Sequence, residues 1–504
     1  MKDNMNRKYR IYLALILILV AFLKLLFTAL TPLSLFSEET QYWLWSRHLD
    51  WNYYSKPLMI ALYNRASTFL LGNTELGVRV NAVLFTSLTA WMVFELSLYM
   101  YKKPAAALLA AVMLLVMPFF HLASLFHTTD SSLVFFWVLA MYFVWRAINE
   151  DRMGWWIAAG VATGLGILSK NVMLLIIPLI FLYLLLMEPK TLLKKGFYVY
   201  GWIAALSFVP VLVWNFQNDF VTFRHVGTLG GVSGNNSGWE WSRAWKYVGE
   251  YVGGQLAVIS VWFIPLLILS FRRMLKYKGR RTLFVLLPVV SVWIMFLGIS
   301  LFKRVEVNWP AFVYATLPIV LVQAFRGKPS WKRYAHWATA ISAVLLVLIM
   351  KPAPLDAIGF KKLLRPDKDP LARLAGYREL GNRIDFLLDS LKVEDHFVFS
   401  DTYHISSELA FYMEGHPQTY NPNLGRRKNQ FDLWPGLEQF EYKGYAGIFV
   451  KWGEEDIPLV GEAFGKKIHD ETLTAYYRGS PVRVFRIQIF EDYKKLEEMD
   501  WGTY

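Results

Sequence analysis

Two adjacent carboxylates, Glu38 and Glu39, open a stretch rich in aromatics that closes on a lysine followed by proline, Lys56-Pro57. A carboxylate can take a proton from an attacking hydroxyl, and an ammonium can neutralise a departing anion. One segment thus carries the two kinds of group that a transfer reaction at a phosphate needs. Ser37 is expected to N-cap a helix whose first turn holds both glutamates, where the helix dipole favours negative charge. A glutamate so placed stays ionised and is a modest base until a bound substrate desolvates it. Tyr42, Trp43 and Trp45 are expected to lay aromatic surface against lipid headgroups. A purely structural pair of capping glutamates fits the local pattern equally well.

Further polar groups lie far away in the chain. Asp130 sits in His127-Thr-Thr-Asp-Ser-Ser-Leu133, and a mixed cluster runs Lys303-Arg304-Val-Glu306-Val-Asn308-Trp-Pro310. His121 and His127 flank Asp130 and could join a loop carboxylate around a divalent metal. Their spacing is loose, so no required metal is expected. Lys170, at the end of an apolar run, reads as a lysine snorkelling to the membrane interface. With no cysteine in the chain, disulfides and thiolate metal sites are excluded.

The elements that must position these residues are membrane helices. The chain has 504 residues, 55% of them hydrophobic, with repeated apolar runs long enough to cross a hydrocarbon core ~30 Å thick. Spans are expected at 11–32, 78–100, 104–122, 131–148, 155–169, 171–187, 197–216, 251–271, 283–302, 309–325 and 334–350, about eleven in all. The net charge of +14 belongs mainly to alternate loops, as the positive-inside rule requires, and does not imply nucleic acid. This places the N-terminus in the cytoplasm. On the outer face it collects loop 33–77, the turn at Asp130, loop 217–250, the Lys303–Trp309 turn and everything after Met350. Four distant polar clusters on one face predict a composite cleft.

Within loop 217–250, the run Gly227–Gly238 is expected to have no helix or strand of its own. Trp239, Trp241 and Trp245 after it predict an interfacial helix. Residues 1–350 are therefore a transmembrane part, and 351–504 a soluble α/β domain. That domain should have strands at 397–400, 446–450 and 482–490 and helices at 371–391 and 405–413. No internal repeat is visible, which counts against an inverted-repeat transporter.

Several motifs keep a common order along nearly the whole chain. Glu38-Glu-Thr-Gln-Tyr-Trp-Leu-Trp-Ser46 resembles the acidic first-loop motif of the GT-C glycosyltransferases that use polyprenyl-phosphate sugars. That group includes the protein O-mannosyltransferases and the lipid A aminoarabinose transferases. The similarity continues in Tyr53-Tyr-Ser-Lys-Pro57, Thr129-Asp130, Leu168-Ser-Lys170, Trp214–Arg224, Val305–Pro310 and Ser407–Met413. The resemblance implies a GT-C membrane fold in a bacterial inner membrane, with the C-terminal domain in the periplasm. It also implies a polyprenyl-phosphate sugar donor, an acceptor that is lipid A, another glycan or a protein, and inversion at the sugar.

Its implied catalytic acids are Glu38, with Glu39 in support, and Asp130. Lys56, Lys303 and Arg304 would hold the donor phosphate, and Tyr54, Arg224, Glu306 and Asn308 would contact substrate. Most relatives have aspartate where Glu38 stands, and many have a second proline where Leu58 stands. A flippase or transporter of lipid-linked glycans, and an oligosaccharide ligase, are the competing readings.

Overall fold

The computed structural model describes residues 2–230, 241–277, 279–325, 328–350, 356, 359 and 365–499. Most of the first 350 residues are helical. The order is α1 (Lys2–Leu30), α2 (Ser37–Arg47), α3 (Met59–Leu71), α4 (Glu75–Tyr101), α5 (Pro104–Leu115), α6 (Pro118–Leu122), α7 (Thr129–Glu150), α8 (Met153–Ser169) and α9 (Ile176–Met187). There follow α10 (Lys195–Leu206), α11 (Val209–Gln217), α12 (Val221–Gly230), α13 (Trp241–Ile259), α14 (Ile264–Tyr277), α15 (Arg280–Ser300), α16 (Leu317–Ala324) and α17 (Pro329–Met350).

Among the described residues, six helices are long and apolar enough to cross a membrane, or seven when one bent pair is taken as a single span. Four shorter apolar helices occupy the remaining expected positions. The protein is a multi-pass α-helical membrane protein with a C-terminal sheet.

Three local expectations need correction. The span expected at 251–271 is not straight: it breaks at Ser260, and its two halves meet at 82°. Ser260 has φ 86, a left-handed value that a residue with a Cβ adopts only when its surroundings impose it. The span expected at 104–122 also breaks, because Met117 is extended ahead of Pro118, as the residue before a proline prefers. In loop 217–250, α12 runs to Gly230, so part of the stretch expected to be irregular is helical; residues 231–240 lie outside the described set. The Trp241 and Trp245 expectation of a helix is met by α13, while Trp239 is not described.

The C-terminal part builds a five-stranded sheet in the order β2-β1-β3-β5-β4. The strands are β1 (His396–Ser400), β2 (Thr419–Tyr420), β3 (Ala446–Trp452), β4 (Phe464–Tyr477) and β5 (Ser480–Tyr493). β1 lies parallel to β2 and β3, and β5 runs antiparallel to both β3 and β4. The β4–β5 hairpin turns on Arg478-Gly479, both at positive φ, the two-residue geometry that matches strand twist. Helices Tyr377–Leu391 and Tyr403–Tyr412 bury apolar residues on one face of the sheet, and Phe397, Phe399, Phe449 and Phe464 fill the other.

What matters for the site is where this part touches the membrane helices. The Tyr403–Tyr412 helix packs on α2, with Phe411 against Trp43 at 4.9 Å between ring centroids. Backbone bonds join the halves as well: Ser34 N donates to Leu374 O at 2.9 Å, and Leu35 N to the Tyr412 hydroxyl at 2.7 Å.

Candidate active site

α2 does not lie on headgroups. Trp43 and Trp45 are fully buried and Tyr42 nearly so. Trp43 faces the C-terminal helix, and Trp45 stacks on Tyr53 at 4.4 Å. The aromatic pattern is real, but protein covers the helix on nearly every side. Ser37 is the first residue of the helix and Phe36 takes the cap position, so the expected serine cap is also corrected. Glu39 supplies that cap, its Oε2 accepting from Phe36 N at 2.9 Å.

Glu39 is wholly committed. It pairs with the buried Arg79 of α4 at 2.9 Å and accepts from His127 N at 2.8 Å. Arg79 in turn donates to Ser34 O at 2.9 Å. Every strong acceptor direction of this carboxylate is occupied, as burial of a charge demands. Its expected catalytic part is therefore corrected to positioning: it locks α2, α4 and the 123–128 loop together.

Glu38, one residue away, is the opposite. Its Oε2 is buried and has no hydrogen-bond partner among the described residues. Burial raises its pKa, against the pull of its own backbone N–H and of Lys56. A half-buried carboxylate with an open lone pair is a better base than a solvated one.

Lys56 is within electrostatic reach of Glu38. Tyr53 N donates to Lys56 O at 3.0 Å, and Asn52 pairs with Pro57 across a tight turn that projects the lysine. Burial and the charge of Lys170 lower the Lys56 pKa to about 8, while Asp130 and Glu38 oppose the shift. These four groups thus share one electrostatic environment.

Asp130 opens α7, with Thr128 Oγ1 accepting from its backbone N at 3.3 Å. Its carboxylate accepts from Lys170 Nζ at 2.7 Å and from Asn308 Nδ2 at 3.0 Å. Lys170 ends α8 and reaches inward, so the interface-snorkelling reading is corrected: this lysine is largely buried in an ion pair. The Leu168-Ser-Lys170 motif was the signal that could have placed it here.

The rim is built from other loops. Tyr54 is buried, its backbone N donates to Gln430 Oε1 at 2.9 Å, and its ring meets that of His225 at 4.9 Å. Burial, Lys56 and Arg427 bring the His225 pKa down to about 4. Sequence reasoning missed both His225 and Arg427. Arg224, expected to bind substrate, points outward on α12, leaving its neighbour His225 to face the cleft.

Lys303 is half-buried, its pKa lowered by burial and by Arg427. Arg304 is exposed and pairs with Glu250 at 3.5 Å. Glu306 is exposed too, so of that cluster only Asn308 reaches the inner groups directly. His127 is buried and burial lowers its pKa to about 3. Among the described residues no three His, Asp or Glu side chains converge in a way that could hold a metal.

The family model for dolichyl-phosphate-mannose-protein mannosyltransferase matches residues 55–214. The lipid A galacturonosyltransferase RgtD of Rhizobium johnstonii is 26% identical over 350 residues, 67% of this chain and 69% of that protein. The undecaprenyl phosphate-alpha-4-amino-4-deoxy-L-arabinose arabinosyl transferase of Pectobacterium carotovorum is 32% identical over 143 residues, 27% of this chain and 26% of its own. The fold is that of ArnT from Cupriavidus metallidurans, solved with undecaprenyl phosphate, at TM-score 0.64, 17% identity and coverage of 97% of this chain and 99% of that one.

The chain is a GT-C membrane glycosyltransferase. It is a multi-pass inner-membrane protein with the fold of ArnT, and aminoarabinose transferases are among the proteins it is similar to.

Proposed function

We propose that this enzyme moves a single sugar from a polyprenyl-phosphate donor to a hydroxyl or phosphate oxygen of an envelope acceptor, lipid A first among them. The relatives named above, which include lipid A and undecaprenyl-phosphate sugar transferases, support that substrate class. The observation that carries the reading is the open, buried Oε2 of Glu38, within electrostatic reach of Lys56, which in turn feels the Asp130–Lys170 pair. In this proposal the acceptor oxygen attacks the anomeric carbon and its proton passes to Glu38. The bond from that carbon to the phosphate oxygen breaks, and the phosphate leaves with the electron pair, held by Lys56 and Lys170.

One displacement inverts the anomeric centre. Asp130 acts through Lys170, fixing it and balancing its charge, and Lys303 and Arg304 meet anionic groups at the mouth. Tyr54 and Asn308 line the path, with Arg224 and Glu306 at its outer edge. The reaction faces the periplasm, with the N-terminus in the cytoplasm, the sheet domain 351–504 outside and 1–350 as the membrane domain. No metal is required, and transfer that survives exhaustive chelation is the expected result.

Purified protein with a radiolabelled polyprenyl-phosphate sugar and a lipid A acceptor tests the reading. Label should reach the acceptor with wild type and not with Glu38→Gln. Movement of labelled donor across liposomes without transfer would instead establish a flippase, and transfer of only preassembled glycans a ligase.

A further inference from the structure

We propose that the C-terminal sheet region carries a second saccharide site, apart from the Glu38 cleft, which takes a sugar ring bearing hydroxyl and ammonium groups and rejects an anionic one. A cavity of about 420 Å³ opens between residues 420–441 and the chain after β5. Ligand pockets run from roughly 300 to 1,000 Å³, so the space suits one or two sugar rings.

Its walls have the chemistry that sugars need. Tyr420, Phe431, Trp434 and Tyr493 line it, and aromatic side chains suit the C–H side of a sugar ring. Glu438, Glu441 and Glu498 also line it and supply acceptors for hydroxyl and ammonium protons. Of the other charges, Lys495 pairs with Glu497 at 3.3 Å and Asp432 with Arg426 at 2.7 Å. Lys428 lines the cavity too, and acids still outnumber bases.

The independent observation is Asn423. It lines the cavity, is 2% exposed, and its Nδ2 has no hydrogen-bond partner among the described residues. The rest of the residue is fully used. Oδ1 accepts from Gly425 N at 3.1 Å and Arg426 N at 3.0 Å, and its backbone N donates to Glu498 Oε2 at 2.9 Å. An amide held so firmly, with one buried donor unmade, is costly unless something accepts from it. A sugar hydroxyl oxygen is that acceptor.

The cavity also adjoins the first loop. The Trp434 ring lies 4.9 Å from His48, and Phe431 packs in one apolar cluster with Trp43. A glycan held here would hang beside α2.

The test is saturation-transfer NMR on the full-length chain in detergent micelles at slightly acidic pH. The probes are methyl β-D-glucosaminide, methyl β-D-glucoside and methyl β-D-glucuronide. Transfer should be strongest to the glucosaminide, weaker to the glucoside and absent from the glucuronide. Glu441→Gln, whose carboxylate makes no hydrogen bond among the described residues, should weaken glucosaminide binding about ten-fold, as loss of a charge-assisted bond does. Asn423→Leu should do the same, and if it lowers the melting temperature Glu441→Gln decides alone.

Glu38→Gln should bind the probe as wild type does, which separates this site from the catalytic reading. Equal transfer to all three probes, an unaffected Glu441→Gln, or loss of the signal in Glu38→Gln each overturns the proposal.

Discussion

Glu38 and Glu39 are neighbours on one helix, and the two regions they enter differ in almost every respect. The Glu39 corner is closed: a guanidinium, two backbone N–H groups and full burial leave nothing for a substrate to contact. The Glu38 side is open, with one carboxylate oxygen unpaired among the described residues and a lysine of lowered pKa within electrostatic reach. The first region spends its charge on holding three segments in place. The second keeps its charge free because the first has already fixed the backbone. A rigid scaffold beside an unsatisfied group is what preorganised catalysis requires.

Substitutions can break that contrast. Glu38→Gln keeps shape and removes the base, so transfer should fall about 10²–10⁴-fold with no loss of thermal stability, measured on the same preparation. Glu39→Ala should do the reverse. It strands a buried Arg79 at a cost of about 3–5 kcal/mol, seen as a large drop in melting temperature. Loss of activity without that drop would show Glu39 to be chemical after all.

The cations come next. Lys56→Met and Lys170→Met should each reduce turnover of donor about 10- to 100-fold by removing a charge-assisted bond to phosphate. Lys170→Met should also destabilise, since it leaves Asp130 buried with only Asn308.

The pH profile is the gentlest probe. The proposed mechanism needs Glu38 ionised and Lys56 protonated. Activity should fall as pH drops through a Glu38 pKa held above the ordinary carboxylate range, and fall again as pH rises through about 8, where Lys56 loses its proton. Lys56→Arg should move the alkaline limb upward, because arginine stays charged. An unchanged limb would assign it elsewhere.

How much of this was legible in the sequence depends on what each residue touches. Glu38, Lys56 and Asp130 could be found from local motifs and placed on one face by loop charge, since both signals are short-range. Lys170 reads locally as a snorkelling lysine, because only the fold brings α8's end to α7's start, and its Leu168-Ser-Lys170 motif was the one signal pointing to the site. Tyr42, Trp43 and Trp45 show the limit most clearly. An aromatic stripe predicts burial in something, and the pattern does not say whether lipid or protein covers it. β4 escaped notice because its run is mostly polar and partly exposed, pairing along one edge with β5. Arg427 and His225 lacked any motif and enter the site only through tertiary placement.

The contact between α2 and the Tyr403–Tyr412 helix has a consequence in time. A ribosome makes the catalytic loop early and the helix that covers it late. Between those moments Trp43 keeps its bond to Asn73 but lacks the Phe411 ring that later closes over it. If the first loop acts as proposed, the site is complete only once the C-terminal part arrives, and a prematurely terminated chain that carries every residue of that loop should fail to transfer a sugar.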